Sequence, residues 1–457
     1  MATPLHAERG SEPTGAGDAP GEETRLKKAI TGPLLFVFIL GDVLGAGVYA
    51  LTGVLAGEAG GAMWIPILVA LAMALLTAAS YAELVTKYPR AGGAAVFAQR
   101  AFRKPMISFL VGFSMLAAGI VSAAGLAIAF AGDYLATFVP VPTVVAAPLF
   151  LLLVAALNAR GIKESMRSNL VMTIIEMSGL VLVIALVGIA LGGGQGDPGR
   201  IMEFPSDVSA GSAILGAAII AFYSFVGFET SANIAEEVRD VRRVYPRALF
   251  GSLLVCGVVY VLVAMASSVM LPPSELAEST GPLLAVVEAT GLGVPAWLFS
   301  AIALVAVANG CLLTMIMSSR LTFGMAEQGL LPAPFARVLP HRRTPWVAIV
   351  VTTGLAIVLT LVGDLATLAE TVVLLLLFVF VATNAAVLVL RKDKVDRPHF
   401  RTPVVLPVLA LVSCVLLLSQ QTLQVWLFGA AMLAVGLVLH LLTRKASSAS
   451  TAQRDPV

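Results

Sequence analysis

An all-α integral membrane protein with twelve transmembrane helices is the fold class this sequence predicts, and three observations carry it. Hydrophobic residues make up 58% of the 457 and charged residues only 12%, before the 41 glycines are counted as apolar. Soluble domains hold about 45–50% apolar residues, glycine included, and about 25% charged ones. The apolar residues gather into twelve runs, each near the roughly 20 residues that cross a hydrocarbon core. Finally, the basic residues fall on one side of the membrane when those runs are threaded back and forth.

In chain order, residues 1–30 are rich in Gly, Pro, Glu and Ser and hold no apolar stretch that could serve as a signal peptide, so a disordered tail is expected. The apolar runs follow at about 33–56, 62–86, 106–132, 143–159, 168–192, 210–234, 247–271, 295–323, 345–362, 366–390, 403–420 and 423–442. A short polar tail, 444–457, closes the chain. With twelve spans, both tails and the turns at 87–105, 160–167, 235–247, 324–344 and 391–402 share one side, and of 29 Lys and Arg residues only Arg200 falls on the other. Because Lys and Arg stay cytoplasmic, both termini are expected inside a plasma (inner) membrane. The outer connections carry acids instead, among them Glu58, Asp133, Asp197, Glu203, Glu275, Glu278 and Glu288.

Cys256, Cys311 and Cys414 lie in apolar runs with neither disulfide nor metal spacing, and the four histidines are scattered over tails, loops and a span end. No metal, cofactor or nucleic-acid partner is expected. A membrane enzyme acting on lipid-linked substrates would need intramembrane His, Ser or Asp dyads near the interface, and no such pairs stand out. A non-transporting sensor would need a long soluble regulatory domain, for which these tails are short.

Two spans carry interruptions. Gly45-Ala46-Gly47 breaks span 1, and Gly227, in Phe222-Tyr223-Ser224-Phe225-Val226-Gly227-Phe228-Glu229, breaks span 6. Five spans separate them, an odd number, so the second half would be inverted in the membrane. Paired breaks in inverted halves point to a transport site at the midplane, although glycine also serves close helix packing. A helix unwound there frees backbone N–H groups that attract a carboxylate and carbonyls that attract an ammonium or metal cation, a pairing that suits a zwitterion. Gly45 and Gly47 allow unusual backbone angles and leave the amides open to a ligand.

Three acids lie deep in spans, and an intramembrane ionisable residue is by default a functional hypothesis. Asp42 precedes the span 1 glycines by one turn, Glu176 lies roughly 12 Å into span 5 at 1.5 Å per residue, and Glu229 follows the span 6 break. No Lys or Arg sits at similar depth, so the core needs protonation, a metal cation or a cationic substrate to offset its charge. Asn169, Thr173 and Glu176 share one helical face at i, i+4 and i+7, and Glu229, Asn233 and Glu236 repeat that spacing. Both stripes read as hydrated paths to the cytoplasm or as groups bonding neighbouring helices. Asn309, Thr314, Ser114 and Ser122 read more simply as packing groups.

The chain resembles the amino acid permeases of the amino acid–polyamine–organocation superfamily, nearest to their cationic amino acid transporter-like branch. The resemblance lies in Gly41-Asp42-Val43-Leu44-Gly45-Ala46-Gly47-Val48-Tyr49 and Pro89-Arg90-Ala91-Gly92-Gly93. It continues in Phe225–Glu229 with Asn233, Ala235-Glu236-Glu237-Val238 and Pro246-Arg247-Ala248, then in Ser319-Arg320, Gly329-Leu330-Leu331-Pro332 and Thr344-Pro345. It implies a leucine-transporter-like core of two inverted five-helix repeats, 31–192 and 210–392, joined by an external loop, 193–209, with peripheral helices 11 and 12 in 393–443. It also implies that a substrate carboxylate meets the amides around Ala46 and Gly47, beside Gly45 and Gly227, while its ammonium meets carbonyls of Val43, Tyr223 and Val226. The activity implied is secondary active transport of amino acids by alternating access, coupled to protons through Glu229, Glu176 and Asp42. Sodium coupling, or exchange of amino acids or polyamines, is the alternative. Two departures stand out: Glu176 occupies a position where some proton-coupled relatives carry Lys, and Asp42 one where a small residue is usual.

Overall fold

A computed structural model describes residues 30–44, 47–89, 93–160, 165–206, 208–327, 329–339, 342, 344–395 and 398–452. The first tail expected to be disordered lies outside this set, apart from Ile30. The helices are α1 (Gly32–Leu44), α2 (Gly47–Ala59), α3 (Trp64–Lys87), α4 (Gly93–Phe102), α5 (Pro105–Phe130), α6 (Asp133–Ala136), α7 (Thr143–Arg160), α8 (Ser165–Gly192) and α9 (Ala210–Tyr223). After a 3₁₀ segment, Phe228–Glu237, come α10 (Val241–Met270), α11 (Pro273–Glu278), α12 (Pro282–Ala289), α13 (Ala296–Glu327), α14 (Trp346–Val362), α15 (Leu365–Leu390), α16 (Val405–Ser419) and α17 (Leu423–Ala452).

Each apolar run read from the sequence is helical over most of its length. Among the described residues nine helices are long and apolar enough to cross a membrane, or ten if α16 and the first part of α17, bent by 110° at their junction, make one span. α14, at 17 residues, is shorter than the others. Four short helices, α4, α6, α11 and α12, lie in the connections between the apolar runs, and α17 runs on to Ala452 through the stretch expected to be a polar tail.

The helix ends follow local chemistry. Pro105 stands in the first turn of α5, where its missing N–H costs nothing. Asp364 caps α15 by accepting the Thr367 N–H at 2.9 Å. Burial acts to raise the Asp364 carboxyl, but its bonds from Thr367 outweigh this and hold it below the ordinary carboxylate range.

Amphipathicity sorts helices between lipid and core. On α8, Thr173, Glu176, Leu180, Val183 and Val187 are buried while Val171, Ile174, Val181 and Ile189 are exposed, so the polar stripe faces inward. The outer faces of α7, α14, α16 and α17 carry exposed Leu and Val, as a lipid-facing surface requires. The centre is held by α5 packed on α13 and α15, and by α1 packed on α8 and α10. The segment before α1 is tied to the end of the 3₁₀ segment: the Ile30 N–H donates to the Glu237 carbonyl at 3.0 Å and the Arg239 N–H to the Ile30 carbonyl at 2.9 Å. These two bonds hold the start of α1 against the end of the 3₁₀ segment.

Candidate functional site

The residues flanking the glycine motif of span 1 lie against the interruption of span 6. α1 is described as far as Leu44 and α2 from Gly47; Gly45 and Ala46, where the break in span 1 is expected and which are named from the sequence as substrate-binding, lie outside the described residues. α9 stops at Tyr223, a turn carries the chain through Gly227, and the 3₁₀ segment follows. Gly227 has φ 128°, a conformation L side chains rarely adopt, and a Cβ there would stand 2.7 Å from the Asp42 carbonyl oxygen. At Gly47 a Cβ would stand 2.9 Å from Ser224 Cα. The missing side chain of Gly47 thus admits the turn of span 6, a neighbour other than the ligand approach read from the sequence.

Between these turns and α5, α13 and α15 lies a cavity of about 90 Å³, well above the roughly 10–15 Å³ needed to hold one water. Asp42, Val43, Gly47, Tyr223, Val226, Gly227 and Glu229 all line it. The Gly227 N–H donates to Glu229 Oε2 at 3.0 Å, so this carboxyl caps its own half-helix. The Thr230 hydroxyl donates to Asp42 and to the Gly227 carbonyl, joining span 6 to span 1 across both breaks. Further round the wall are Met115, Leu126, Val372 and Leu376, with the hydroxyls of Ser122 and Tyr223 2.9 Å apart. Among the described residues no Lys, Arg or His lines the cavity, and two acids do.

Some of the lining escaped the sequence reading. Ser224 and Thr230 bracket the Phe225–Glu229 motif, and their flanking positions were the available signal. Gly310, Thr314, Met317, Ser318 and Leu321 form one face of α13 at helical spacing, a mixed stripe of which the sequence reading includes only Thr314. Ser122 lines the cavity as well; Ser114 is buried but does not line it.

The second polar stripe needs correction. Glu229, Asn233 and Glu236 were placed on one face by α-helical spacing, but Phe228–Glu237 is 3₁₀ with three residues per turn. Glu229, Ala232 and Ala235 share the buried face, while Asn233 and Glu236 stand aside and are only half-buried. The continuous path from Glu229 through those two side chains is not there.

Glu176 lies apart from the cavity. With Asn169 and Thr173 of α8 and Asn309 of α13 it forms a buried cluster behind α1. The Asn309 amide donates to Glu176 Oε1 at 3.2 Å and to Asn169 Oδ1 at 3.3 Å. Glu176 Oε2 and Thr173 Oγ1 are buried with no hydrogen-bond partner among the described residues. Gly41 lets α1 close on this cluster, since a Cβ there would overlap Thr173 Oγ1.

Tyrosines brace the broken helices. The Tyr260 hydroxyl of α10 stands 2.7 Å from the Val43 carbonyl and 2.9 Å from that of Leu44, the last two residues of α1. The Tyr49 hydroxyl donates to the Glu176 carbonyl at 2.7 Å, and Tyr134 donates to the Tyr49 carbonyl at 2.9 Å. Of the carbonyls assigned to an ammonium, Val43's therefore already has a donor, and Tyr223's accepts the Val226 N–H at 3.0 Å.

Comparison with known proteins adds an independent line. The sequence profile of the amino acid permease family matches residues 32–447. The chain is 27% identical over 447 residues to the branched-chain amino acid permease BcaP of Bacillus subtilis (strain 168), covering 93% of this chain and 94% of that protein. It is 28% identical over 457 residues to the methylthioribose transporter of the same organism, covering 94% and 96%. With the vacuolar cationic amino acid transporter 4 of Arabidopsis thaliana it shares 30% identity over 389 residues, covering 80% of this chain and 64% of that one.

Proposed function

The chain belongs to the amino acid permease family, and from that premise we propose that it is a secondary active transporter moving amino acids across the plasma membrane by alternating access, coupled to protons. The observation that carries the proposal is the cavity between the two breaks, walled by Asp42 and Glu229 without a basic residue among its described lining. Such a site favours a ligand that brings an ammonium, and apolar walls from Met115, Leu126, Val372 and Leu376 leave room for an uncharged part. The carboxylate of that ligand meets the amides around Ala46 and Gly47.

The topology proposed is twelve spans with both termini cytoplasmic. Residues 31–192 and 210–392 form inverted five-helix repeats joined by the external loop 193–209, and helices in 393–443 are peripheral. A single Cys at Gly196, in a cysteine-free background, should react with an impermeant thiol reagent from outside intact cells, and one at Ser448 should not.

Coupling is assigned to two stations. Glu229 and Asp42 face the substrate, and Glu176 sits behind α1 with an oxygen that has no partner among the described residues. A buried carboxylate with one donor is a costly arrangement unless a proton or cation joins it. The same oxygen and Thr173 Oγ1 favour a second reading, in which sodium fills that role.

Uptake of a labelled amino acid panel into proteoliposomes, with pH and sodium gradients imposed separately, decides among these. Accumulation driven by a pH gradient alone is the expected result. Accumulation only with sodium selects the second reading, and no amino acid uptake under either gradient overturns both.

A further inference from the structure

Asp133 and Tyr134 are neighbours on the single turn of α6, and they face opposite ways. Asp133 is exposed: its Oδ2 accepts the N–H groups of Thr280 and Gly281 at 3.0 Å each and the Ser279 hydroxyl at 3.3 Å. Its own N–H donates to the Thr280 hydroxyl at 2.9 Å. These three partners join α11 to α12, a strap that the proposed topology places on the outer side. The strap rests on α2, where a Cβ at Gly53 would overlap the Leu276 carbonyl oxygen.

Tyr134 is fully buried and donates to the Tyr49 carbonyl at 2.9 Å, one turn before Gly53. Tyr49 is fully buried as well, and its hydroxyl donates to the Glu176 carbonyl at 2.7 Å. Gly179 of α8 leaves room for that hydroxyl, since a Cβ there would overlap it. A chain of contacts thus runs from the strap through α6 and α2 to the turn of α8 that carries Glu176. Its inner links are buried hydroxyls, and each would be left unpaired in a dry site if α6, α2 or α8 moved alone.

Resting on the transporter reading above, we propose that Tyr134 and Tyr49 are positioning residues for the coupling step, tying the movement of the strap to the seat of Glu176. When the strap lifts from α2 to admit substrate, Asp133 carries α6 with it. Tyr134 then draws on Tyr49, and Tyr49 on the backbone that holds Glu176. The alternative is that both phenols merely bond spare carbonyls, in which case the effect of deleting either hydroxyl stays local. Adjacency does not establish coupling, which variants and their double combinations measure.

The measurement is amide hydrogen exchange over residues 273–289, read by mass spectrometry on the purified full-length protein in lipid nanodiscs without substrate. Asp133→Ala should quicken exchange of the strap about tenfold or more. Tyr134→Phe and Tyr49→Phe each keep the ring and delete only the hydroxyl; each should quicken it about fivefold, the scale of one hydrogen bond lost. Asp133→Ala combined with Tyr49→Phe should be no faster than Asp133→Ala alone, because the strap has then already left the chain. Thr402→Val is the control: it deletes another buried hydroxyl, which donates to the Ala79 carbonyl at 2.7 Å, and should leave the strap unchanged. In proteoliposomes Tyr134→Phe should lose most concentrative uptake while substrate affinity stays within about twofold. Strap exchange at the wild-type rate in both phenylalanine variants overturns the proposal, and so does equal quickening by Thr402→Val. If neither phenylalanine variant can be purified, Asp133→Ala should quicken exchange in α2 around Tyr49, and unchanged exchange there overturns the proposal too. The exchange measurements need no substrate, so absence of amino acid uptake by the wild type would sink the functional reading and leave this test standing.

Discussion

Glu229 and Glu176 are both buried acids in spans, 53 positions apart in the chain, and the structure gives them opposite surroundings. Glu229 opens onto the cavity and is held by the N–H of Gly227, a backbone group of its own half-helix. Glu176 is sealed behind α1, held on one oxygen by an amide from α13, 133 positions away. A carboxyl that faces a cavity can sense what occupies it. One locked between the side chains of α8 and α13, with α1 closed over them, senses instead how those helices sit against each other. The difference suggests a division of labour, with Glu229 reporting substrate and Glu176 reporting conformation.

The largest test of that division is Glu176→Gln. If Glu176 carries the coupled proton, the variant should still exchange labelled for unlabelled substrate but should not concentrate it. A pH gradient of one unit stores about 1.4 kcal/mol per proton, so about tenfold accumulation should vanish in a vesicle experiment. Normal accumulation by this variant would remove Glu176 from coupling altogether.

Gly227→Ala tests the cavity side next. The substitution forces a side chain onto φ 128° and against the Asp42 carbonyl, which should cost about 2–4 kcal/mol in stability and abolish binding. Gly354→Ala, on α14 with nothing within 4 Å, is its control and should change neither. Equal melting temperatures for the two variants would mean that the breaks do not meet as described.

A finer instrument is Gly41→Ala, whose Cβ would press on Thr173 and Asn169 of the Glu176 cluster at a position that is not part of the cavity lining. Concentrative uptake should fall severalfold while substrate affinity stays within about twofold, a loss of roughly 1 kcal/mol or more in the coupled step. Adding Thr173→Ala should restore part of it. Impaired binding with intact coupling would reverse the roles assigned to the two sites.

Glu229→Gln should lower affinity only modestly, because the amide oxygen can still accept from the Gly227 N–H, and a loss of about 1 kcal/mol is expected. Its signature is in pH: binding by the wild type should depend on pH, and this variant should lose that dependence. A pH profile that survives the change would make Glu229 a structural cap.

Much of this was legible without coordinates. Apolar runs placed the helices because a hydrocarbon core admits only segments that satisfy their own backbone. The motifs around Gly47 and Gly227 located the cavity, and seven of the residues named from them line it. The inward face of α8 followed from helical spacing alone, which set Asn169, Thr173 and Glu176 together. The Glu229 stripe failed for the same kind of reason, because α-helical spacing was applied to a segment that winds with three residues per turn.

What the sequence by itself determined is thus what local rules control: apolar runs long enough to cross a membrane, the course of each helix, the interruption at Gly227, and which acids are buried. Only the tertiary structure decided who partners whom. Asn309 reaches Glu176, Thr230 reaches Asp42, and Tyr260 takes the carbonyls at the end of α1. Each of these contacts joins residues at least 133 positions apart, through helices whose relative rotation is set by packing. Hydropathy fixes that a helix faces lipid or core, and the few degrees that aim one hydroxyl at one carbonyl come from the fit of all the helices at once.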